Sequence, residues 1–83
     1  MSFYVYILYS QMLDQYYTGH TEDLENRIFR HNNSGSKATK KANDWKLVYQ
    51  QEYSSRSEAM QAEMAIKNKK SRKYIEKLIS SVG

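Results

Sequence analysis

The sequence contains no cysteine, which excludes disulfide bonds and thiolate metal sites as sources of stability. A metal ion, if one is bound, must therefore use oxygen or imidazole ligands, and carboxylate ligands favour magnesium or manganese. No apolar run is long enough to cross a membrane, and Met1-Ser2-Phe3 leads directly into strand-like sequence. We therefore expect no secretory signal and a cytoplasmic protein. The length of 83 residues predicts a single domain, 1–83, with a modest core.

Positive charge exceeds negative charge, with a formal net charge of +4 and a pI of about 9.3. Most of the excess lies in two basic runs, at residues 37–41 and 67–73. Clustered cations suit a polyanion, because each phosphate contact releases condensed counterions. A solvated surface that only keeps the protein soluble explains the same charge. The eight tyrosines favour nucleic acid slightly, although tyrosine also suits ordinary strands.

The first half of the sequence predicts two strands and a helix. Residues 3–9 are aromatic and β-branched with no breaker, which is typical of a strand buried on both faces. Residues 16–18 indicate a short second strand that ends at Gly19, so that the two strands form a hairpin. Thr21 is the predicted N-cap of a helix that runs to about Asn33.

The second half predicts one strand and two helices. After a polar, lysine-rich loop at 35–44, residues 45–53 return to strand composition. Ser55-Arg56-Ser57-Glu58 has the pattern of a capping box and opens a helix through about Lys69, and Ser71 caps a last helix. The order β-β-α-β-α-α predicts an α+β fold, a three-stranded antiparallel sheet flanked by helices.

The first predicted helix places charged residues on a face that should be apolar. Leu24, Arg27, Ile28 and His31 follow the i, i+3, i+4, i+7 spacing of one helix face. Because leucine and isoleucine should point to the core, we expect Arg27 and His31 to point inward beside them. An inward arginine is costly unless an anion meets it.

The next helix repeats this pattern, with Glu63 on a stripe otherwise formed by Ala59, Ala62 and Ile66. A purely structural explanation is that Glu63 pairs with Arg27 inside the fold and that His31 is a hydrogen-bonded core histidine. The functional explanation is a cleft between sheet and helices, in which Glu63 binds a metal and Arg27 faces a phosphate.

The length of the hairpin loop decides whether two tyrosines lie on the same face of the sheet. If the hairpin loop has even length, Tyr6 and Tyr17 project from the same sheet face and lie close together. With an odd-length loop and no bulge, they project from opposite faces. The sequence does not decide between these arrangements, and ordinary strand packing also explains each tyrosine.

Tyr4-Val5-Tyr6, followed after a short gap by Tyr17-Thr18-Gly19, resembles the paired GIY and YIG signatures of the GIY-YIG nuclease superfamily. Tyr4 replaces the glycine of the first signature, and Thr18 replaces the isoleucine of the second. Residues 19–27 continue as they do in the family.

Later residues extend the resemblance over about 3–79. The helix arginine of the family falls on Arg27, and His31 falls where members carry histidine or tyrosine. Residues 56–59 lead to Glu63 as in the helix that bears the metal-binding glutamate. The chain looks most like small stand-alone bacterial members, and it is similar to the nuclease modules of excision-repair incision subunits and homing endonucleases. The asparagine that many members carry well after this glutamate is missing, since Asn68 comes too early.

The resemblance implies a role for each residue of the predicted site. Glu63 would be the single protein ligand of one divalent cation, Mg²⁺ or Mn²⁺, and Arg27 would stabilise charge on the pentavalent phosphate. Tyr6 and Tyr17 would position or deprotonate the attacking water, with the base unassigned, and His31 would assist. A tyrosine base requires cationic neighbours, because its unperturbed pKa is about 10. Loop lysines are the expected phosphate contacts: Lys37, Lys40 and Lys41.

Three functions are compatible with the sequence. The first is a metal-dependent endonuclease with little sequence preference, for which DNA is the expected substrate, although the sequence does not decide between DNA and RNA. The second is a catalytically weak or inactive module that binds nucleic acid with the same fold, and the third is a structural domain with fortuitous charge. An isolated carboxylate beside a phosphate favours the first, because it repels anions unless a metal intervenes. The sequence determines neither the oligomeric state, homodimer or otherwise, nor any protein partner.

Overall fold

The computed structural model describes residues 2–33 and 42–82. Its elements follow the predicted order: β1 (Phe3–Ser10), β2 (Gln15–Thr21), α1 (Leu24–Asn32), β3 (Lys46–Tyr53), α2 (Arg56–Lys69) and α3 (Arg72–Val82). The strands form one antiparallel sheet in the order β2-β1-β3. The predicted α+β fold class is therefore confirmed. Among the described helices, none combines the length and the apolar character needed to cross a bilayer.

The central strand β1 is buried on both faces, as its composition predicts. Because successive side chains of a strand point to opposite faces, β1 contributes to two separate cores. The core against α1 contains Tyr6, Leu8, Ala42 and Trp45, with Leu24 and Ile28 packed around them. The core against α2 and α3 contains Val5, Ala59 and Ile66, with Ile75 and Leu78 packed around them. The sheet thus has α1 on one face and the other two helices on the opposite face.

The helix starts agree with the sequence patterns in two cases out of three. The capping box forms, since Ser55 Oγ accepts from the Glu58 backbone N–H at 3.2 Å and the Ser55 backbone N–H donates to the Glu58 carboxylate. Ser71 caps α3 by accepting from the Tyr74 N–H at 3.1 Å. The prediction for Thr21 was wrong, because Thr21 pairs with β1 as the last residue of β2. Asp23 is the N-cap of α1 instead, accepting from the Asn26 N–H at 3.2 Å.

The lysine-rich loop predicted at 35–44 is only partly described, since residues 34–41 lie outside the described ranges. Its last residues belong to the packed structure. Ala42 is buried in the core against α1. The Asp44 carboxylate accepts from Ser10 Oγ at 2.6 Å and from the Met12 N–H at 3.0 Å, which ties the chain before β3 to the end of β1.

Gly19 does not end the second strand, contrary to prediction, because β2 continues to Thr21 and Gly19 pairs with Tyr6. The position needs glycine because of a close approach. A Cβ at residue 19 would lie 2.6 Å from the Tyr6 hydroxyl oxygen and 2.8 Å from its Cζ. Tyr6 itself is buried, so its ring cannot move aside easily.

Gly19→Ala should lower the free energy of unfolding by about 1–3 kcal/mol, the usual cost of overpacking a core. The added methyl group must displace the Tyr6 ring. Urea denaturation of the variant and the wild type measures the change. Gln15→Ala, at an exposed position of the same strand, is the control and should stay within about 0.5 kcal/mol. Equal unfolding midpoints for Gly19→Ala and the wild type would contradict the overpacking argument.

Candidate active site

The strand register settles the parity of the two tyrosines. Tyr6 pairs with Gly19 and Leu8 pairs with Tyr17, because the connection of residues 11–14 has even length. Directly paired residues, and residues two apart along a strand, share a face. Tyr6 and Tyr17 therefore project from the same face, with their ring centroids 6.4 Å apart. This is the face covered by α1.

The face of α1 that bears Arg27 and His31 points to these tyrosines, as the helical spacing predicts. His31 is 2% exposed, and its Nε2 lies 3.0 Å from the Tyr6 hydroxyl oxygen. The ring centroids of His31 and Tyr17 are 4.8 Å apart. His31 is thus a hydrogen-bonded core histidine that also touches both tyrosines.

The Tyr6–His31 pair is uncharged near neutral pH. Burial, helped by the charges of Arg27 and Arg30, lowers the pKa of His31 below its ordinary value of 6.5. Burial, followed by the effect of Tyr17, raises the pKa of Tyr6 well above its usual range, and Arg27 offsets this only in part. The contact therefore joins a phenol to a neutral imidazole.

The neutral state of His31 predicts a loss of stability in mild acid. Because the folded chain holds His31 at a pKa below 6.5, the unfolded chain takes up the proton first as the pH falls. The free energy of unfolding should therefore decline below about pH 6.5 until folded His31 titrates. Urea unfolding at about pH 7.5 and about pH 5.5 measures this decline, and His31→Gln should make it shallower. An equal decline in both proteins would assign the effect to other groups.

Arg27 lies beside this cluster. It is half-buried, and its charge lowers the pKa of both Tyr6 and His31. Among the residues that the structure describes, no Asp or Glu forms an ion pair with it. Its guanidinium can therefore meet an incoming anion through its planar pair of donors.

Glu63 lies on α2, on the opposite face of the sheet from α1. Its side chain is 15% exposed, and Oε2 lies 2.6 Å from Lys67 Nζ. Its Oε1 contacts His20 Nδ1. Burial acts to raise the pKa of Glu63, but the hydrogen bonds from Lys67 and His20 outweigh it, so the pKa is lowered and the carboxylate is ionised. The structural alternative of a Glu63–Arg27 ion pair is thus replaced by pairing with these two residues.

His20 and Lys67 were not predicted as members of the site. The place of His20 in β2, directly after Gly19, turns it to the face that α2 covers. Lys67 lies on the same helix as Glu63. The i, i+4 spacing from Glu63 could have identified it, because residues four apart are neighbours on a helix. Lys67 Nζ also lies 5.9 Å from the centroid of the Tyr17 ring.

The donor set around Glu63 fits a hard divalent cation. Within the described residues, no group of three or more His, Asp or Glu side chains forms a complete metal cage. Magnesium is commonly bound by one or two carboxylates, with water and substrate phosphates as its other ligands. Glu63 is ionised and already binds one cation, the Lys67 ammonium, at Oε2. It therefore suits the single-carboxylate role that the sequence implies.

A cleft of about 460 Å³ opens beside Tyr17, between β2 and the helices α2 and α3. Ile66 and Ile75 contribute apolar surface, and Lys67, Lys70 and Arg72 bring positive charge. Arg72 is held by Asp14, with Nη2 to Oδ1 at 2.6 Å. The volume is within the range of ligand pockets, about 300–1,000 Å³. A polyanion that reaches Tyr17 would therefore lie beside a cleft whose surface is partly positively charged.

The family model of the GIY-YIG catalytic domain matches residues 2–75. The chain belongs to the GIY-YIG family. The UPF0213 protein SSP2268 of Staphylococcus saprophyticus is 45% identical to this GIY-YIG chain over 65 residues, covering 77% of the chain and 78% of that protein. The UPF0213 protein BH0048 of Halalkalibacterium halodurans is 37% identical over 84 residues, covering 100% of the chain and 87% of that protein.

A solved structure supports the same assignment of fold. The solution NMR structure of the UPF0213 protein BH0048 from Bacillus halodurans has a TM-score of 0.60 to this GIY-YIG chain at 37% identity. The similarity covers 96% of this chain and 84% of that one. The three-stranded sheet flanked by helices is therefore the architecture of this GIY-YIG domain and of its relative.

The predicted site residues of this GIY-YIG domain come together in part. Tyr6, Tyr17, His31 and Arg27 form one cluster on the α1 side of the sheet. Glu63 lies across the sheet from this cluster and is linked to it through Lys67, whose Nζ is 2.6 Å from Glu63 Oε2 and 5.9 Å from the centroid of the Tyr17 ring. The expected phosphate contacts lie outside the described residues: Lys37, Lys40 and Lys41.

Proposed function

We propose that the protein is a metal-dependent endonuclease that hydrolyses phosphodiester bonds in nucleic acid, DNA more than RNA, with little sequence preference. The observation that carries the proposal is the pair of Tyr6 and Tyr17, whose ring centroids are 6.4 Å apart, with Lys67 linking Tyr17 to the Glu63 carboxylate. Two neighbouring tyrosines, an arginine that pairs with no described carboxylate, and an ionised carboxylate are groups that phosphodiester hydrolysis uses.

Each residue then has a role that its surroundings support. Glu63 would hold Mg²⁺ or Mn²⁺, which when bound neutralises phosphate charge and assists the leaving oxygen. Arg27 would bind non-bridging oxygens through its bidentate fork. The raised pKa of Tyr6 suits a group that stays protonated and orients the attacking water by hydrogen bonding. Tyr17, which lies beside the Lys67 ammonium, is the better candidate for activating that water.

We propose that Lys37, Lys40 and Lys41 bind the nucleic-acid backbone. Removal of one phosphate-binding cation should flatten the slope of log K against log salt by about 0.9 for duplex DNA. Replacing the three lysines with alanine should therefore weaken binding and reduce this slope together. Fluorescence anisotropy at several salt concentrations measures both quantities. Weaker binding with an unchanged slope would show that these lysines do not contact phosphates.

Cleavage by the purified full chain tests the proposed function directly. Labelled duplex, nicked, branched and single-stranded substrates are each incubated with Mg²⁺, Mn²⁺ or EDTA. We expect cleavage of at least one substrate with either metal, and no cleavage in EDTA. Tight binding without cleavage in either metal would instead assign the chain to the class of non-cutting nucleic-acid-binding modules.

A further inference from the structure

Lys67 occupies a position on Glu63 that a metal ion would need. Its ammonium lies 2.6 Å from Oε2 of Glu63, while His20 contacts Oε1. The Lys67 side chain is 49% exposed, whereas that of Glu63 is 15% exposed. The carboxylate is therefore fixed in place, and its lysine partner has room to leave.

Two cations close to one carboxylate repel each other. Magnesium requires carboxylate oxygens at about 2.0–2.1 Å in nearly ideal octahedral geometry. An ammonium held at 2.6 Å from the same oxygen would crowd the coordination shell and repel the ion. The Lys67 charge therefore opposes the binding of a divalent cation to the Glu63 carboxylate.

We propose that Lys67 is a built-in counter-ion of Glu63 that a divalent cation must displace. The proposal rests on the proposed function, because it takes Glu63 as the ligand of the cation. In the cation-free protein, Lys67 compensates a charge that would otherwise repel a nucleic acid approaching Tyr17. The consequence is a cation affinity lower than the carboxylate would have without the lysine.

Titration of the full chain with Mn²⁺ alone, by calorimetry and by electron paramagnetic resonance, tests this competition without nucleic acid or catalysis. Lys67→Met removes the competing charge and should tighten Mn²⁺ binding about twofold to fivefold, which corresponds to the loss of one exposed ion pair. Lys69→Met is the matched control, because Lys69 is on the same helix but lies against the Tyr74 ring. Lys67→Arg keeps the charge and should bind Mn²⁺ as the wild type does.

Mn²⁺ affinity that is equal in Lys67→Met and Lys69→Met would overturn the competition. If Lys67→Met does not fold, Lys67→Gln makes the same comparison. Glu63→Gln tests the role of Glu63 as the cation ligand separately from the competition by Lys67, since it should abolish Mn²⁺ binding. If Glu63→Gln binds Mn²⁺ like the wild type, the ion binds elsewhere, and both the role of Glu63 and the competition are wrong. If only the gain in Lys67→Met is missing, the proposed function stands and the counter-ion does not.

Discussion

Glu63→Gln should reduce the proposed phosphodiester cleavage by on the order of a thousandfold, because the cation that we propose Glu63 binds would supply several kilocalories per mole of charge stabilisation. Glutamine keeps the size of the side chain but loses the charge that binds a hard divalent ion. Binding of nucleic acid should persist or become tighter, because Lys67 and His20 lose their anionic partner. Single-turnover cleavage in Mn²⁺, with binding followed by anisotropy, separates these two effects.

The control for Glu63→Gln is Glu25→Gln, which removes the same charge from an exposed position of α1. This variant should cleave at nearly the wild-type rate. Residual cutting that is equal in wild type and Glu63→Gln would point to a contaminating nuclease or to a cation bound elsewhere.

Arg27→Ala should lower the cleavage rate by about a hundredfold to a thousandfold, the usual effect of removing one group that stabilises transition-state charge. Arg27→Lys should recover only part of the loss, because an ammonium cannot form two parallel bonds to a phosphate. Stability should change little, since Arg27 is half-buried and has no ion pair with any described carboxylate. Single-turnover rates and urea unfolding of both variants measure these effects.

Arg30→Ala is the matched control, since Arg30 is an exposed arginine on the same helix. Its loss should weaken nucleic-acid binding slightly and leave the cleavage step intact. If Arg27→Ala kept full activity, the phosphate would not bind on the α1 side of the sheet, and the proposed arrangement would be wrong.

The helical half of the site was predictable because it depends on local geometry. A period of 3.6 residues places Arg27 and His31 beside Leu24 and Ile28 whatever the rest of the fold does. The structure has these residues on the inner face of α1, with the two apolar side chains packed on Tyr6 and Leu8.

Contacts between distant segments were not predictable in the same way. His20 meets Glu63 across 43 positions of sequence, so no local spacing indicates the pair. Whether Tyr6 and Tyr17 share a sheet face depends on the number of residues in the hairpin loop. Strand composition does not reveal where the pairing of the strands ends. The conformational freedom of glycine predicts a strand end at Gly19, but the actual constraint there is the Tyr6 side chain that crosses over it.

The pairing of β1 with β2 positions the two halves of the candidate site. These are the tyrosine cluster on the α1 side of the sheet, and Glu63 with its partners on the α2 side. A slip of one residue would turn Tyr17 away from Tyr6 and move His20 out of reach of Glu63, because every side chain would change face. A chain caught in that slipped state would lack the proposed active site. The proposed cleavage activity per mole of protein would therefore measure the fraction of molecules in which β1 and β2 pair in the correct register. A refolded sample with native spectra and low turnover would indicate an incorrect register.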